Sequence, residues 1–297
     1  MIPIVAVLLV LTGGSNSTIV KFAVSEFPPA ILVLVRSFIA AVALSPFILK
    51  TTRVKLEKKT ASLLVINALF TINWLSFAIG IQKTSVTMSQ LIYVPTSLIV
   101  VVLSFLMFGE KFTKIQILGL LTTIFGAVIL AVGSINSKDI TFGDPIGNLL
   151  ITFGMFCWAI YLVLSKRISH YYSPLTIIFY NFIAAFVITA ILVLLIHPIK
   201  NFNLASIDRN GFLSIAYIGI ISSATYFYLN QWFVKHTTAF IASIQVYPMV
   251  IVASALGIIF YGEKLTPNLI FAALLIMSGV FLSTSYQYIK RRSYAKN

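Results

Sequence analysis

The chain has 297 residues, of which 59% are hydrophobic and only 9% charged, yet its net charge is +14. So little charge over this length excludes an ordinary soluble domain, and apolar stretches of ~18 residues or more read as membrane-spanning helices. The basic residues are dealt out among short loops, not gathered on one face with interleaved aromatics, which excludes nucleic acid as a partner.

Charge, proline, glycine and asparagine divide the chain into ten apolar segments: 2–20, 29–49, 61–81, 87–108, 114–135, 147–165, 174–195, 212–232, 238–261 and 267–288. The first starts without a basic region and reads as a retained span, not a cleaved signal peptide. The connecting loops are short. The polar stretch 136–145 is the best linker, and 197–211 is the longest polar loop.

The segments repeat. Pro95, Gly109-Glu110-Lys111, Thr113 and Gly126 recur 153 positions later as Pro248, Gly262-Glu263-Lys264, Thr266 and Gly279. Lys21 and Pro29 recur 145 positions later as Lys166 and Pro174, so the second copy carries a short insertion. Two copies with five crossings each sit in the bilayer in opposite orientations, an architecture common among secondary transporters. The fold class is therefore an all-α integral membrane protein of ten transmembrane helices, built as two inverted five-helix repeats over 1–136 and 145–297.

With both termini in the cytoplasm, fourteen lysines and arginines fall on the inner side and six (Lys21, Lys83, Lys138, Lys200, Arg209, Lys264) on the outer, satisfying the positive-inside rule. The Gly-Glu-Lys elements read as helix hairpins: glycine ends one helix in the left-handed conformation, threonine caps the next, and Pro267 suits a first helical position. Gly119, Gly126 and Gly133 on the fifth span, matched by Ala272 and Gly279 on the tenth, read as a close-packing seam.

No enzyme apparatus is present in the sequence. His170, His197 and His236 have no metal-ligand spacing, and there is neither a phosphate loop nor a nucleophile elbow. No catalytic residue, metal or cofactor is expected, and the chain is not read as an enzyme. All seven acidic residues fall in loops or at span ends, which leaves no intramembrane carboxylate for a proton relay and favours facilitated diffusion or exchange. Cys157 lies alone in the sixth span and reads as packing.

Polar and aromatic residues do gather inside certain spans: Asn16 in the first, Asn73 and Trp74 in the third, Gln90 and Tyr93 in the fourth. Trp158 and Tyr161 follow in the sixth, Tyr226 and Asn230 in the eighth, and Gln245 in the ninth. Interior amides need partners or a water-lined cavity, since lipid offers neither. Arg36 lies about two turns into the second span, either as a functional charge or as a residue snorkelling to the interface. These eleven residues are the candidate substrate site.

Gly14-Ser15-Asn16 leading to Lys21, the Phe27-Pro28-Pro29 turn, Arg36-Ser37-Phe38-Ile39-Ala40-Ala41 and the two Pro…Gly-Glu-Lys units together resemble the drug/metabolite transporter superfamily, EamA type, over essentially the whole chain. One departure is Gly13, where the family pattern usually has tryptophan. The resemblance implies a central cavity lined by the first, third, fourth, sixth, eighth and ninth spans. It also implies transport of small solutes such as amino acids, with export the commoner direction. The expected protein is a multi-pass cell-membrane carrier working by alternating access. Its partners are a small-molecule substrate, the lipid bilayer and, as an open alternative, a second copy in a homodimer. The rivals are uptake by the same fold, a lipid-modifying enzyme that would need a carboxylate or histidine cluster, and a channel that would need a ring of equivalent polar residues.

Overall fold

A computed structural model describes residues 2–48, 60–108, 114–136, 142–196, 207–237 and 245–294. Every regular element among them is helical. Among the described residues, seven helices are long and apolar enough to cross a membrane: Ile2–Glu26, Pro29–Ile48, Ala61–Ile81, Val86–Leu103, Pro145–Ile168, Pro174–Ile196 and Arg209–His236. Three shorter apolar helices, Ile117–Gly133, Val246–Tyr261 and Pro267–Leu282, complete the order of ten predicted segments. Large apolar side chains such as Leu64, Phe125, Leu194 and Ile259 point outward, while most buried polar groups face the interior, as a lipid-solvated bundle requires.

Two spans are not plain α-helix. The fourth is broken into Val86–Tyr93 and Thr96–Phe108 at Val94-Pro95, because proline has no N–H to continue the ladder and its ring crowds the preceding turn. Val94 N closes onto Leu91 O at 3.1 Å instead. Pro248, well inside the predicted segment 238–261, stands in the first turn of the helix Val246–Tyr261, where a proline costs little. The eighth span runs as Arg209–Tyr217, a π-helical stretch Ile218–Thr225, and Tyr226–His236.

The hairpin between the ninth and tenth spans has the expected chemistry. Gly262 takes φ 62°, the left-handed region that glycine adopts without strain. Thr266 Oγ1 accepts from Leu269 N at 3.3 Å, and the tenth helix opens on Pro267. The first copy of this hairpin, Gly109 to Thr113, lies outside the described residues.

Corresponding spans pair across the middle: fifth with tenth, second with seventh, fourth with ninth. The third packs on the sixth as the eighth packs on the first. A shift of five spans maps this set onto itself, which is two-fold pseudo-symmetry. The seam shows its direction. A Cβ on Gly126 would meet Ala272 O at 3.0 Å, and one on Gly279 would meet Gly119 O at 2.6 Å. Each contact becomes the other under the 153-residue shift, and the two helices run antiparallel. The axis therefore lies across the helices, in the plane of the membrane. Gly133 does not join this seam; its space is filled by Phe142.

Lys21, Lys83, Asp144, Asp208 and Glu263 lie toward one face of the bundle, and Lys166 and Lys235 toward the other.

Candidate functional site: a central polar cavity

A cavity of about 100 Å³ lies between the two halves. It is lined by Gly13 and Asn16, Arg36, Asn73, Trp74 and Phe77, Gln90, Tyr93 and Thr96, Trp158 and Leu162, Tyr226, Phe227 and Asn230, and Gln245, Val246 and Met249. These come from the first, third, fourth, sixth, eighth and ninth spans, with the second added through Arg36.

Many of the lining positions are repeat mates. Gly13 corresponds to Trp158, Asn73 to Tyr226, Trp74 to Phe227 and Phe77 to Asn230, at offsets of 145 or 153. In three of these four pairs a small or polar residue in one half corresponds to an aromatic one in the other. The two copies thus build a two-sided wall from one set of positions.

Arg36 is 2% exposed, so its side chain turns inward and does not snorkel. Its Nε and Nη2 each donate to Ser223 Oγ at 3.1 Å, and its guanidinium carbon lies 3.7 Å from the Trp74 ring centroid. Among the described residues no carboxylate pairs with it. Burying a cation is costly, and a desolvated cation–π contact returns only about 2 kcal/mol. A buried cation held this way has the chemistry to accept an anion. Ser223 sits on the π-helical stretch, where Thr225 Oγ1 donates to Ile220 O at 3.1 Å, five residues back. Gly219 lets Ile39 of the second span press close, since a Cβ there would meet Ile39 Cγ2 at 2.5 Å. Widened helical turns of this kind recur at functional sites.

The amides divide into spent and unspent groups. Asn73 Nδ2 donates to Tyr93 OH at 2.6 Å and Gly154 O at 2.8 Å, and Gln90 Nε2 donates to Ser17 Oγ. By contrast, Asn16 Oδ1, Asn230 Oδ1, Thr96 Oγ1 and both polar atoms of Gln245 are buried with no partner among the described residues. An unsatisfied buried polar group costs on the order of 1–3 kcal/mol. Clustered around one cavity, these groups are placed where water or a polar ligand would satisfy them.

Ten of the eleven predicted residues line this cavity. Tyr161 does not. It is fully buried behind Trp158, with the rings stacked at 4.9 Å, and its hydroxyl accepts from Asn181 Nδ2 at 2.8 Å and Gln231 Nε2 at 2.5 Å. It props the tryptophan instead of facing the cavity. Sequence reasoning missed Phe77, Thr96, Leu162, Phe227, Val246 and Met249, and the Arg36 partner Ser223. The Ser222-Ser223 pair one turn before Tyr226 was the available signal. Gly13 has its own meaning: a Cβ there would meet Met249 Sδ and Cε at 2.8 Å, so methionine fills the space that a larger residue would take.

The sequence matches the EamA-like transporter family over residues 1–132 and 145–285, and the chain belongs to that family. It is 25% identical, over 94% of its length and 93% of the relative's, to a probable amino-acid metabolite efflux pump of Escherichia coli K12. It is 27% identical over 73% of its length, and 72% of the relative's, to the uncharacterized transporter YyaM of Bacillus subtilis. A solved crystal structure shares the fold with a TM-score of 0.67 and 16% identity, covering 95% of this chain and 96% of that one. The chain is a multi-pass membrane transporter of the EamA type.

Proposed function

We propose that this transporter moves small zwitterionic metabolites, amino acids or related solutes, out of the cell by alternating access, with both termini in the cytoplasm. The observation that carries this reading is Arg36, a cavity cation matched by no carboxylate among the described residues. Its free guanidinium edge suits a substrate carboxylate. The unpartnered oxygens of Asn16, Asn230 and Gln245 suit an ammonium, and Trp74, Trp158 and Tyr226 suit a compact apolar body. The excess of basic residues on the terminal side supports the orientation. The efflux named for the E. coli relative supports the direction.

The test is counterflow in proteoliposomes loaded with a panel of neutral amino acids. Saturable exchange is expected, inhibited well by the intact amino acid and poorly by the amine lacking its carboxylate. Equal inhibition by that amine, or no exchange with any member of the panel, would overturn the reading.

A further inference from the structure

Above the cavity, toward the face that carries Glu263, the interior is shut. Ser17, Val20, Ser85 and Val86 are fully buried, and Thr84 and Thr87 nearly so. The turn between the third and fourth spans is gripped here from two sides. Glu263, only 5% exposed, accepts from Val86 N at 2.6 Å and Thr87 N at 2.9 Å. Lys21 Nζ donates to Thr84 O at 2.5 Å and lies 5.3 Å from the Tyr261 ring centroid. Tyr261 OH in turn donates to Thr18 O at 3.0 Å.

The electrostatics favour this grip. The first amides of a helix have no intrahelical acceptor and carry the positive end of the helix dipole, so a carboxylate there forms charge-assisted bonds. Ser85 takes the next amide, that of Met88, at 2.9 Å. Glu263 belongs to the second half of the chain and the fourth span to the first, so these bonds tie the halves together at one end of the cavity. The lysine half of the device exists twice. Lys166, the repeat mate of Lys21, donates to Thr237 O at 2.7 Å on the opposite face, and Thr237 is the repeat mate of Thr84. The repeat therefore keeps this lysine contact at both ends of the cavity.

We infer that Glu263 and the Thr84–Thr87 turn form the latch that holds the cavity closed toward this face, released when the carboxylate lets go of the fourth span. The inference rests on the alternating-access reading, and its test uses no substrate. In a Cys157→Ser background, Thr96→Cys places a thiol on the cavity wall. Its rate of modification by a membrane-impermeant reagent is then measured from each face in oriented vesicles. Glu263→Gln should raise labelling from the Glu263 face about tenfold, the scale of a lost charged hydrogen bond, and lower it from the other face. Lys21→Met should act in the same direction.

Val86→Pro isolates the contact. Val86 is the first helical position, Ser85 is extended at φ −79° and ψ 160°, and both suit an X-Pro step, so the backbone accepts proline while the amide donor is lost and one small buried apolar side chain replaces another. That variant should keep the thermal stability of the parent and still open the labelling route. Unchanged labelling in well-folded Glu263→Gln and Val86→Pro would overturn the latch while leaving the substrate assignment standing. Labelling from neither face in any variant would overturn the cavity as a transport route, and the latch with it.

Discussion

Arg36 and Trp74 stand face to face at the cavity wall, the guanidinium carbon 3.7 Å from the indole centroid, the cation on the second span and the ring on the third. The pair presents a cation that the protein holds in place without neutralising it. Ser223 supplies dipole and geometry but no charge. On the proposed reading, that leaves the site ready for a substrate anion.

The first prediction follows from that imbalance. Arg36→Met should abolish exchange of carboxylate substrates yet leave the melting temperature in detergent unchanged or higher, because replacing a buried charge by an apolar residue is often neutral or stabilising. Arg36→Lys keeps the charge and loses the planar fork, so half-saturation should rise by about tenfold with protein yield unaffected. A large drop in stability for Arg36→Met would show that the arginine serves the fold instead.

The aromatic wall gives the second. Trp158→Ala should weaken affinity, and Tyr161→Phe should do the same to a smaller degree, since Tyr161 acts only by bracing the indole through the hydroxyl held by Asn181 and Gln231. Gly13→Trp should fail alone for want of space beside Met249, and Gly13→Trp with Met249→Ala should recover expression while rejecting the larger substrates. Competition assays with amino acids of graded side-chain size read both effects.

The third concerns the seam. An added methyl at Gly279 meets backbone, Gly119 O at 2.6 Å and Thr123 N at 2.7 Å, which cannot rotate away. At Gly126 the nearest atom is the Ile276 side chain at 2.7 Å. Gly279→Ala should cost about 1–3 kcal/mol, as overpacking typically does, and Gly126→Ala less. Thermal unfolding in one detergent gives the ranking directly.

The fourth concerns driving force. Among the described residues, no Asp, Glu or His lines the cavity. Exchange measured at fixed membrane potential should therefore change little when a pH gradient is imposed. Concentrative uptake that collapses with the gradient would place a proton site where none has been recognised.

Much of this was legible from local chemistry. Glycines at seven-residue spacing marked the fifth and tenth spans for close contact because only small residues let helices approach in lipid. Amides and aromatics inside apolar spans marked the cavity wall because lipid cannot satisfy them. What was not legible depended on helix rotation and distant partners. The direction of Arg36 is set by Ser223, 187 positions away, and the work of Glu263 by Val86, 177 positions away. Glu263 had read as part of a hairpin, which is true of its backbone and silent about its carboxylate. Tyr161 shows the same limit: one residue type at one depth faces the cavity or stands behind its wall according to a small turn of the helix.

The π-helical stretch has one more consequence. The matching stretch of the third span, 65–72, is ordinary α-helix, and the mate of Arg36 is the uncharged Asn181. A two-fold frame thus encloses a charge that lies off its axis, and on the alternating-access proposal the two facing states are not mirror images in energy. The carrier should show unequal half-saturation on its two sides. Detailed balance then requires the maximal rates to differ in compensation, so an exchanger of this build rectifies rates and never equilibria.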